Sequence, residues 1–362
     1  MSAKMSAKTR LLPFAFKTIR PCVHPITYRS LSTSLYLRNS STLENPPKGN
    51  PPQKPTRKPP NPPAQGSENL ETNAASGIFL GTTKRLPEFS LTDRVVLVSG
   101  AARGLGLTQA EALLEAGATV YALDRLPEPS PDFYRVQKRA AEELGTTFHY
   151  RQIDVRDSEA LNKIVADIGD TQGRMDGLIA AAGIQQETTA LDYTAKDANM
   201  MFEINITGVF MTAQAVAKQM IRFGNGGSIA MIASMSAHVA NRVRITCSLK
   251  SAPSLTLPQG LICPAYNASK AGVVQLAKNL ASEWGEYGIR VNTISPGYIV
   301  TAMVEELFKR FPERRVDWPA QNMLGKLSRP EDFRGAAVFL LSPASSFMTG
   351  ADLRIDGGHA SW

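Results

Sequence analysis

From about Leu86 to the C-terminus, short runs of β-branched and aliphatic residues alternate with longer stretches whose apolar positions recur every three or four residues. The short runs predict seven strands, at 95–98, 119–123, 147–152, 177–181, 228–232, 289–294 and 352–355. Helical stretches of ten or more residues separate most of them. Such alternation implies a parallel sheet covered by helices on both faces, because parallel neighbours need crossover connections long enough to be helices. The expected fold is therefore α/β, one doubly wound domain over 86–362.

Ahead of this pattern the chain changes character. Residues 1–63 hold eleven Lys/Arg and a single acid, Glu44, a net of +10; since the whole chain carries +8, residues 64–362 carry −2. The basic balance belongs to the N-terminal segment, and the folded part gives no charge argument for a nucleic-acid partner. Residues 1–44 are rich in Ser and Thr and interleave Leu11, Leu12, Phe14, Phe16 and Ile19 with cations from Lys4 to Arg38. That composition suits an organelle import signal, and the run at 28–34 resembles the processing region of mitochondrial presequences. A transit peptide and a mitochondrial matrix protein are expected, with a disordered basic tail on a cytoplasmic protein as the alternative. Residues 45–65 contain nine prolines, which lack a backbone donor, so 45–85 is expected to be a disordered extended linker. No run approaches the ~18–20 apolar residues of a membrane span. Cys22, Cys247 and Cys263 form no framework, and neither they nor His24, His149, His238 and His359 have ligand-like spacing. A reduced compartment and no metal are expected.

The first predicted strand runs into Gly100-Ala101-Ala102-Arg103-Gly104-Leu105-Gly106 and then into a helix. Glycines at such a junction permit a tight turn and let backbone N–H groups approach a pyrophosphate, to which the helix N-terminus adds its positive dipole end. The second strand ends in Asp124, followed by Arg125. A carboxylate there accepts hydrogen bonds from both ribose hydroxyls of NAD and repels a 2′-phosphate, whereas Arg103 and Arg125 suit a phosphate. NAD(H) is the expected cofactor and NADP(H) the alternative.

Further along stand Asp154-Val155, Ala180-Ala181-Ala182-Gly183, Asn205, Ser234, Tyr266-Asn267-Ala268-Ser269-Lys270, Pro296-Gly297 with Ile299 and Thr301, and Asp356-Gly357-Gly358. In this order, and at these strand ends, the motifs resemble the short-chain dehydrogenase/reductase family over about 86–362. The overall likeness is strongest to fungal polyol dehydrogenases and ketose reductases of the arabinitol and sorbose type. The resemblance implies a single Rossmann-type domain with a seven-stranded parallel sheet. It implies that Gly100, Gly104 and Gly106 receive the cofactor phosphates and that Asp154 and Val155 bind its adenine; Arg103 and Leu105 between the glycines, with Asp124 and Arg125 at the end of the second strand, complete the expected cofactor-binding set. Ala181 and Gly183 would approach it through their backbone. Pro296, Gly297, Ile299 and Thr301 would hold the nicotinamide carboxamide. One segment departs from the family, which usually has Asn-Asn-Ala-Gly where this chain has Ala180-Ala181-Ala182-Gly183; some sheet stabilisation is expected to be lost there, but not activity.

The resemblance also implies catalytic roles for Asn205, Ser234, Tyr266 and Lys270, and the residue types support them. A tyrosine and a lysine four apart on a helix are neighbours across one turn. Free tyrosine titrates near pH 10, too high for an efficient proton shuttle, and an adjacent ammonium favours the phenolate. Tyr266 is the expected acid/base, with Lys270 lowering its pKa and holding the nicotinamide ribose. Ser234 would orient the substrate oxygen, with Ser236 as a second candidate, and Asn205 would position a water in a proton relay from Lys270. Met303, Leu307 and Phe308 suit either a substrate lid or ordinary core packing. The expected reaction interconverts a secondary alcohol and a ketone on a small molecule such as a polyol or ketose. A 3-oxoacyl-thioester (acyl carrier protein) reductase and a non-catalytic cofactor-binding protein are the alternatives. The helix from 266 to 284 resembles one that builds homodimers and homotetramers in this family.

One stretch fits none of this. Ser234 and Tyr266 are 32 positions apart, and without residues 243–259 the gap would be 15, close to the family's habit. The 17 residues lack acids and clear periodicity. They correspond to 51 nucleotides, opening on a valine codon (GT…) and closing on a glutamine codon, one form of which ends in AG. The expectation is a short intron read through in frame; the alternative is a genuine substrate-covering loop.

Overall fold

The computed structural model describes residues 86–240 and 262–361. The expected targeting segment 1–44, the linker 45–85 and the insertion 243–259 lie outside the described residues.

Seven parallel strands form one sheet: β1 (Val95–Ser99), β2 (Thr119–Asp124), β3 (Phe148–Gln152), β4 (Gly177–Ala180), β5 (Gly227–Ile232), β6 (Ile289–Pro296) and β7 (Asp352–Ile355). Their order is β3-β2-β1-β4-β5-β6-β7. All seven expected strands are present, with ends displaced by one or two residues. Where β2 and β6 run longer than expected, residues at the edges of turns still pair with a neighbour, Asp124 opposite Gln152 and Pro296 opposite Ile355.

Nine α-helices are described: α1 (Gly104–Glu115), α2 (Pro131–Arg139), α3 (Ser158–Gln172), α4 (Ala195–Phe202), α5 (Val209–Phe223), α6 (Pro264–Trp284), α7 (Ala302–Arg310), α8 (Arg314–Asp317) and α9 (Arg334–Leu341). Local chemistry sets several boundaries. The Asp157 carboxylate accepts from Ala160 N–H to start α3, the Thr194 hydroxyl accepts from Asp197 N–H to start α4, and Gly173 and Gly224 end α3 and α5 in the left-handed conformation.

Strand alternation divides the core into two layers. Val95, Leu97, Leu123, Leu178, Ile229 and Val291 face α3, α5 and α6 through residues such as Leu161, Val216 and Val273. Val96, Val98, Val120, Ile179, Ala230 and Ile294 face α1, α2 and α9 through Leu113, Phe133 and Leu340. Strands buried on both faces are largely apolar, which is why β1 reads Val-Val-Leu-Val before Ser99.

The stretch Ala195–Phe223, spanning α4 and α5, is long and apolar enough by composition to cross a membrane, a stretch that the sequence reading passed over. Its buried side, including Met201, Val209, Ala213 and Met220, lies in the protein core.

The chain leaves β1 towards β2 and β3 on one side and resumes at β4 on the other. Ligands of such sheets bind where the order reverses, outside the carboxyl ends of the strands. The expected site residues lie at or beyond those ends, or on helical segments among α1, α6, α7 and the turn between α4 and α5.

Candidate active site

The cofactor end begins where β1 turns into α1. Gly100 has φ +69°, and a Cβ on it would sit 2.8 Å from the Ala182 backbone; a Cβ on Gly106 would collide with the Gly100 carbonyl. The strand end, the loop and the first turn of α1 therefore touch backbone to backbone. Gly104 and Leu105 open α1 with no side-chain cap, and Arg103 before them is exposed. Their N–H groups stand at the N-terminal end of a twelve-residue helix, an end suited to an anion.

Asp124 closes β2 beside this loop. Its carboxylate accepts from Ala102 N–H at 3.1 Å and from Leu126 N–H at 3.2 Å. Two bonds fix the group and leave further acceptor sites for ribose hydroxyls. Arg125 is exposed, and with Leu126, Pro127, Gln152, Ile153 and Asp154 it lines a cleft of about 490 Å³. Asp154 is held by Arg156 at 2.6 Å, and those hydrogen bonds draw its pKa below the usual carboxylate value. Val155 is buried, and a Cβ on Gly208 would sit 2.6 Å from its Cγ2. Glycine cradle, carboxylate and cleft fit a dinucleotide in the places expected for its phosphates, ribose and adenine.

The segment after β4 is tied to β1 by Ser99, whose carbonyl accepts from Ala181 N–H at 3.2 Å and whose hydroxyl accepts from Ala182 N–H at 3.3 Å. Contact with the neighbouring strand is thus kept without the family's asparagine amides. Asn205, fully buried, sits in a π-helical turn (Glu203–Gly208) between α4 and α5. Single π turns frequently mark functional sites because they offset the hydrogen-bond ladder and re-aim one residue. Here Asn205 Oδ1 accepts from Ile184 N–H at 2.8 Å, while Nδ2 donates to the Ile184 carbonyl at 2.9 Å and to Ser269 Oγ at 3.0 Å. Its side chain fastens the loop after β4 to α6. A Cβ on Gly183 would sit 3.2 Å from Asn205 Oδ1 and 3.6 Å from Lys270 Nζ, so this glycine lies directly against both.

Ser234 follows β5 and is buried; its hydroxyl accepts from Ser236 N–H at 3.2 Å and hydrogen-bonds the Tyr266 phenol. Ser234, not Ser236, is the serine set on the tyrosine. Tyr266 and Lys270 lie one turn apart on α6, with Lys270 Nζ 5.7 Å from the tyrosine ring centroid. Lys270 is buried and donates to the Ile232 carbonyl at 2.8 Å, bracing the strand that carries Ser234.

The electrostatics differ from the sequence expectation. Tyr266 is not drawn down: burial pushes its pKa up to about 12, opposed by the Ser234 hydrogen bond and assisted by the Cys263 thiol. Lys270 is itself lowered to about 8 by burial. The lysine's hydrogen bond goes to a backbone carbonyl rather than to the phenolic oxygen, and desolvation of the tyrosine wins.

Beyond β6, a Cβ on Gly297 would sit 2.8 Å from Asp356 Cα, and the Asp356 carboxylate caps the C-terminal turn by accepting from Gly358 and Ala360 N–H, each at 2.9 Å. Pro296 ends β6, Ile299 pairs with Ser328, and Thr301 caps α7 by accepting from Val304 N–H. Of the lid candidates on α7, Phe308 is buried with Cys263 and Trp318, and Leu307 packs against them, as does Tyr266. Phe308 and Leu307 are packed groups beside the tyrosine.

Other residues of this wall escaped the sequence reading. Arg314 is buried and makes a bidentate ion pair with Glu187, at 2.8 and 2.9 Å. Trp318 stacks on Tyr298 at 4.1 Å. The signal available was a Phe-Arg-Trp cluster, 311–318, close behind the Pro-Gly segment.

Comparison with known proteins agrees with this geometry. Residues 94–248 match the family described as short chain dehydrogenase, and 258–360 match that described as Enoyl-(Acyl carrier protein) reductase. The short chain dehydrogenases/reductase notP' of Aspergillus versicolor is 38% identical over 76% of this chain and 89% of its own length. D-arabinitol 2-dehydrogenase (ribulose-forming) of Candida tropicalis is 32% identical over 76% of this chain and 96% of its own. NADH-dependent L-xylulose reductase of Ambrosiozyma monospora is 32% identical over 77% and 100%. Among solved structures, a 2-deoxy-D-gluconate 3-dehydrogenase from Agrobacterium tumefaciens with bound NADP superposes with TM-score 0.63 at 32% identity, covering 77% of this chain and 100% of that one. Carveol dehydrogenase from Mycobacterium avium in complex with NAD gives 0.64 at 27%, covering 74% and 98%. This chain belongs to the short-chain dehydrogenase family of NAD(P)-dependent oxidoreductases.

Proposed function

We propose that this chain is an NADH-dependent polyol dehydrogenase that also runs as a ketose reductase, with Tyr266 as its acid/base. The observation that carries the reading is the Ser234–Tyr266 hydrogen bond with Lys270 one helical turn away. Gly100–Gly106, Asp124, Asp154 and Pro296–Thr301 would hold the cofactor, whose nicotinamide supplies or accepts the hydride when bound. In reduction, Tyr266 gives its phenolic proton to the carbonyl oxygen as that oxygen becomes a hydroxyl; in oxidation it must first lose that proton, and its phenolate then takes the proton of the substrate hydroxyl. A tyrosine held at about 12 stays protonated in the neutral range and is ready to donate. Lys270, at about 8, can exchange a proton near neutral pH, and a relay beginning at it would replace the one Tyr266 gives up. Ser234 orients the same oxygen.

The sugar-alcohol class is supported by the names of relatives that act on arabinitol and xylulose. NADH is favoured because the Asp124 carboxylate would lie near a 2′-phosphate and repel it. Residues 1–44 would direct the protein to the mitochondrial matrix, and α6 would build a homo-oligomer. The thioester reductase reading has one observation of its own, the description of the second family match. A single panel separates the two: oxidation of NADH and NADPH with a series of ketoses and one 3-oxoacyl thioester. NADH-linked turnover of ketoses supports the proposal, and NADPH-linked turnover of the thioester alone overturns it. For location, a fusion of residues 1–45 to a fluorescent reporter should enter mitochondria; diffuse cytosolic signal rejects that part.

A further inference from the structure

Ser234 stands where the sheet stops holding the chain. Among the described residues, the last backbone bond from this strand to β6 is made by Ala233 N–H, to the Ile294 carbonyl at 2.8 Å. A single 3-10 turn, Met235–Ala237, follows. It is closed by local bonds, Ala237 N–H to the Ser234 carbonyl and His238 N–H to that of Met235, each at 2.9 Å. One turn of this kind fixes little by itself. In sequence, the expected insertion begins five positions beyond His238.

A side chain adds the hold that the sheet no longer gives. His238 Nε2 meets Asp352 Oδ2 at 2.7 Å, a bond that runs from the serine turn over β6 to β7. The carboxylate is itself set in place. Its Oδ1 accepts from the Thr293 hydroxyl at 2.6 Å and from the Ser295 hydroxyl at 2.7 Å, both buried on β6. A carboxylate only accepts, so His238 Nε2 carries a proton and donates, whether the imidazole is neutral or charged. The Asp352 side chain is 13% exposed, which limits competition from water and favours this charge-assisted bond.

We propose that His238 is a positioning residue: through its hydrogen bond to Asp352 it anchors the turn after β5, and so holds the Ser234 hydroxyl at the Tyr266 phenol. The coupling is direct, because the Ser234 hydroxyl also accepts from Ser236 N–H at 3.2 Å and moves with the turn. The inference rests on the catalytic role of Ser234 in the reading above. Small displacements of a catalytic group are costly, about 10²-fold for roughly 1 Å.

The test replaces His238 in the full chain. Turnover is read as cofactor oxidation with a 2-ketopentose and NADH, or with the thioester and NADPH if the panel above selects that pair. His238→Ala should lower kcat roughly tenfold while cofactor affinity stays within about twofold; His238→Phe stands in if the alanine variant fails to fold. His238→Gln, whose amide N–H can reach the same carboxylate, should return kcat to within about threefold of wild type. The deciding arm repeats His238→Ala on a Ser234→Ala background. There it should change kcat by less than about twofold, since the hydroxyl it positions is already gone. Equal losses on both backgrounds overturn the proposal, as does a loss below about twofold in the otherwise unaltered enzyme. Failure of glutamine to rescue also overturns it, and that arm decides alone if Ser234→Ala turns over too slowly to measure. A Ser234→Ala enzyme with unchanged kcat is a different result, and overturns the catalytic role of the serine itself.

Discussion

Lys270 illustrates how much a single residue costs the fold at this site. Burial lowers its pKa from 10.5 to about 8, so between those values the unfolded chain holds a proton that the folded chain has released. Below pH 8 the charged, buried lysine weighs fully on the native state; as pH rises from 8 towards 10.5 that weight is lifted and stability increases, by a total on the order of 3 kcal/mol. Tyr266, raised to about 12, works in the opposite direction once the unfolded tyrosine begins to ionise near 10. The usable window is therefore pH 8 to 10. Denaturant unfolding of the wild type and of Lys270→Met across that window should show the wild type gaining relative to the variant, whereas a constant difference contradicts the account. On the proposed reading, Asp124 would carry the cofactor choice. Asp124→Ala should raise kcat/KM for NADPH relative to NADH by roughly tenfold, since one like charge near the 2′-phosphate is removed; a wild type that already prefers NADPH shifts the control to Arg103 and Arg125.

The elements of the site work through close backbone approach. A Cβ on Gly106 would meet the Gly100 carbonyl, so Gly106→Ala must push α1 away from β1. Overpacking of this kind typically costs about 1–3 kcal/mol, and NADH affinity should fall at least roughly tenfold as the helix end leaves the phosphates. Calorimetric titration with NADH checks it, and unchanged affinity contradicts the cradle. The strands, the glycine loop and the Tyr-x3-Lys turn were legible because each is written locally, in apolar runs, glycines at strand ends and helical spacing. Arg314 with Glu187, and the stack of Trp318 on Tyr298, were not, because these groups meet only when separate segments are folded together. The tyrosine's pKa was misjudged for a related reason. Spacing places Lys270 beside Tyr266, yet only the packed structure shows the ammonium donating to Ile232 and desolvation outweighing it.

For the molecule as a whole, the question is what the chain needs in order to work. The two family matches stop at 248 and resume at 258, on either side of most of the expected insertion. Its described flanks are joined by one hydrogen bond: Asn267 Nδ2, in the first turn of α6, donates to the Val239 carbonyl at 3.3 Å. Ends held that close tolerate a much shorter connection. Deleting 243–259 should give a folded enzyme at least as active as the full chain, read by melting temperature and NADH oxidation; loss of folding or turnover favours a genuine covering loop. The central claim is that Ser234, Tyr266 and Lys270 form a working proton-transfer site on a cofactor cleft that binds independently of it. Tyr266→Phe tests that most directly, by NADH titration and ketose-dependent NADH oxidation on one preparation. The expected result is NADH affinity within about threefold of wild type with turnover reduced by roughly 10³ or more. Turnover within tenfold of wild type, with the same ketose, would contradict it.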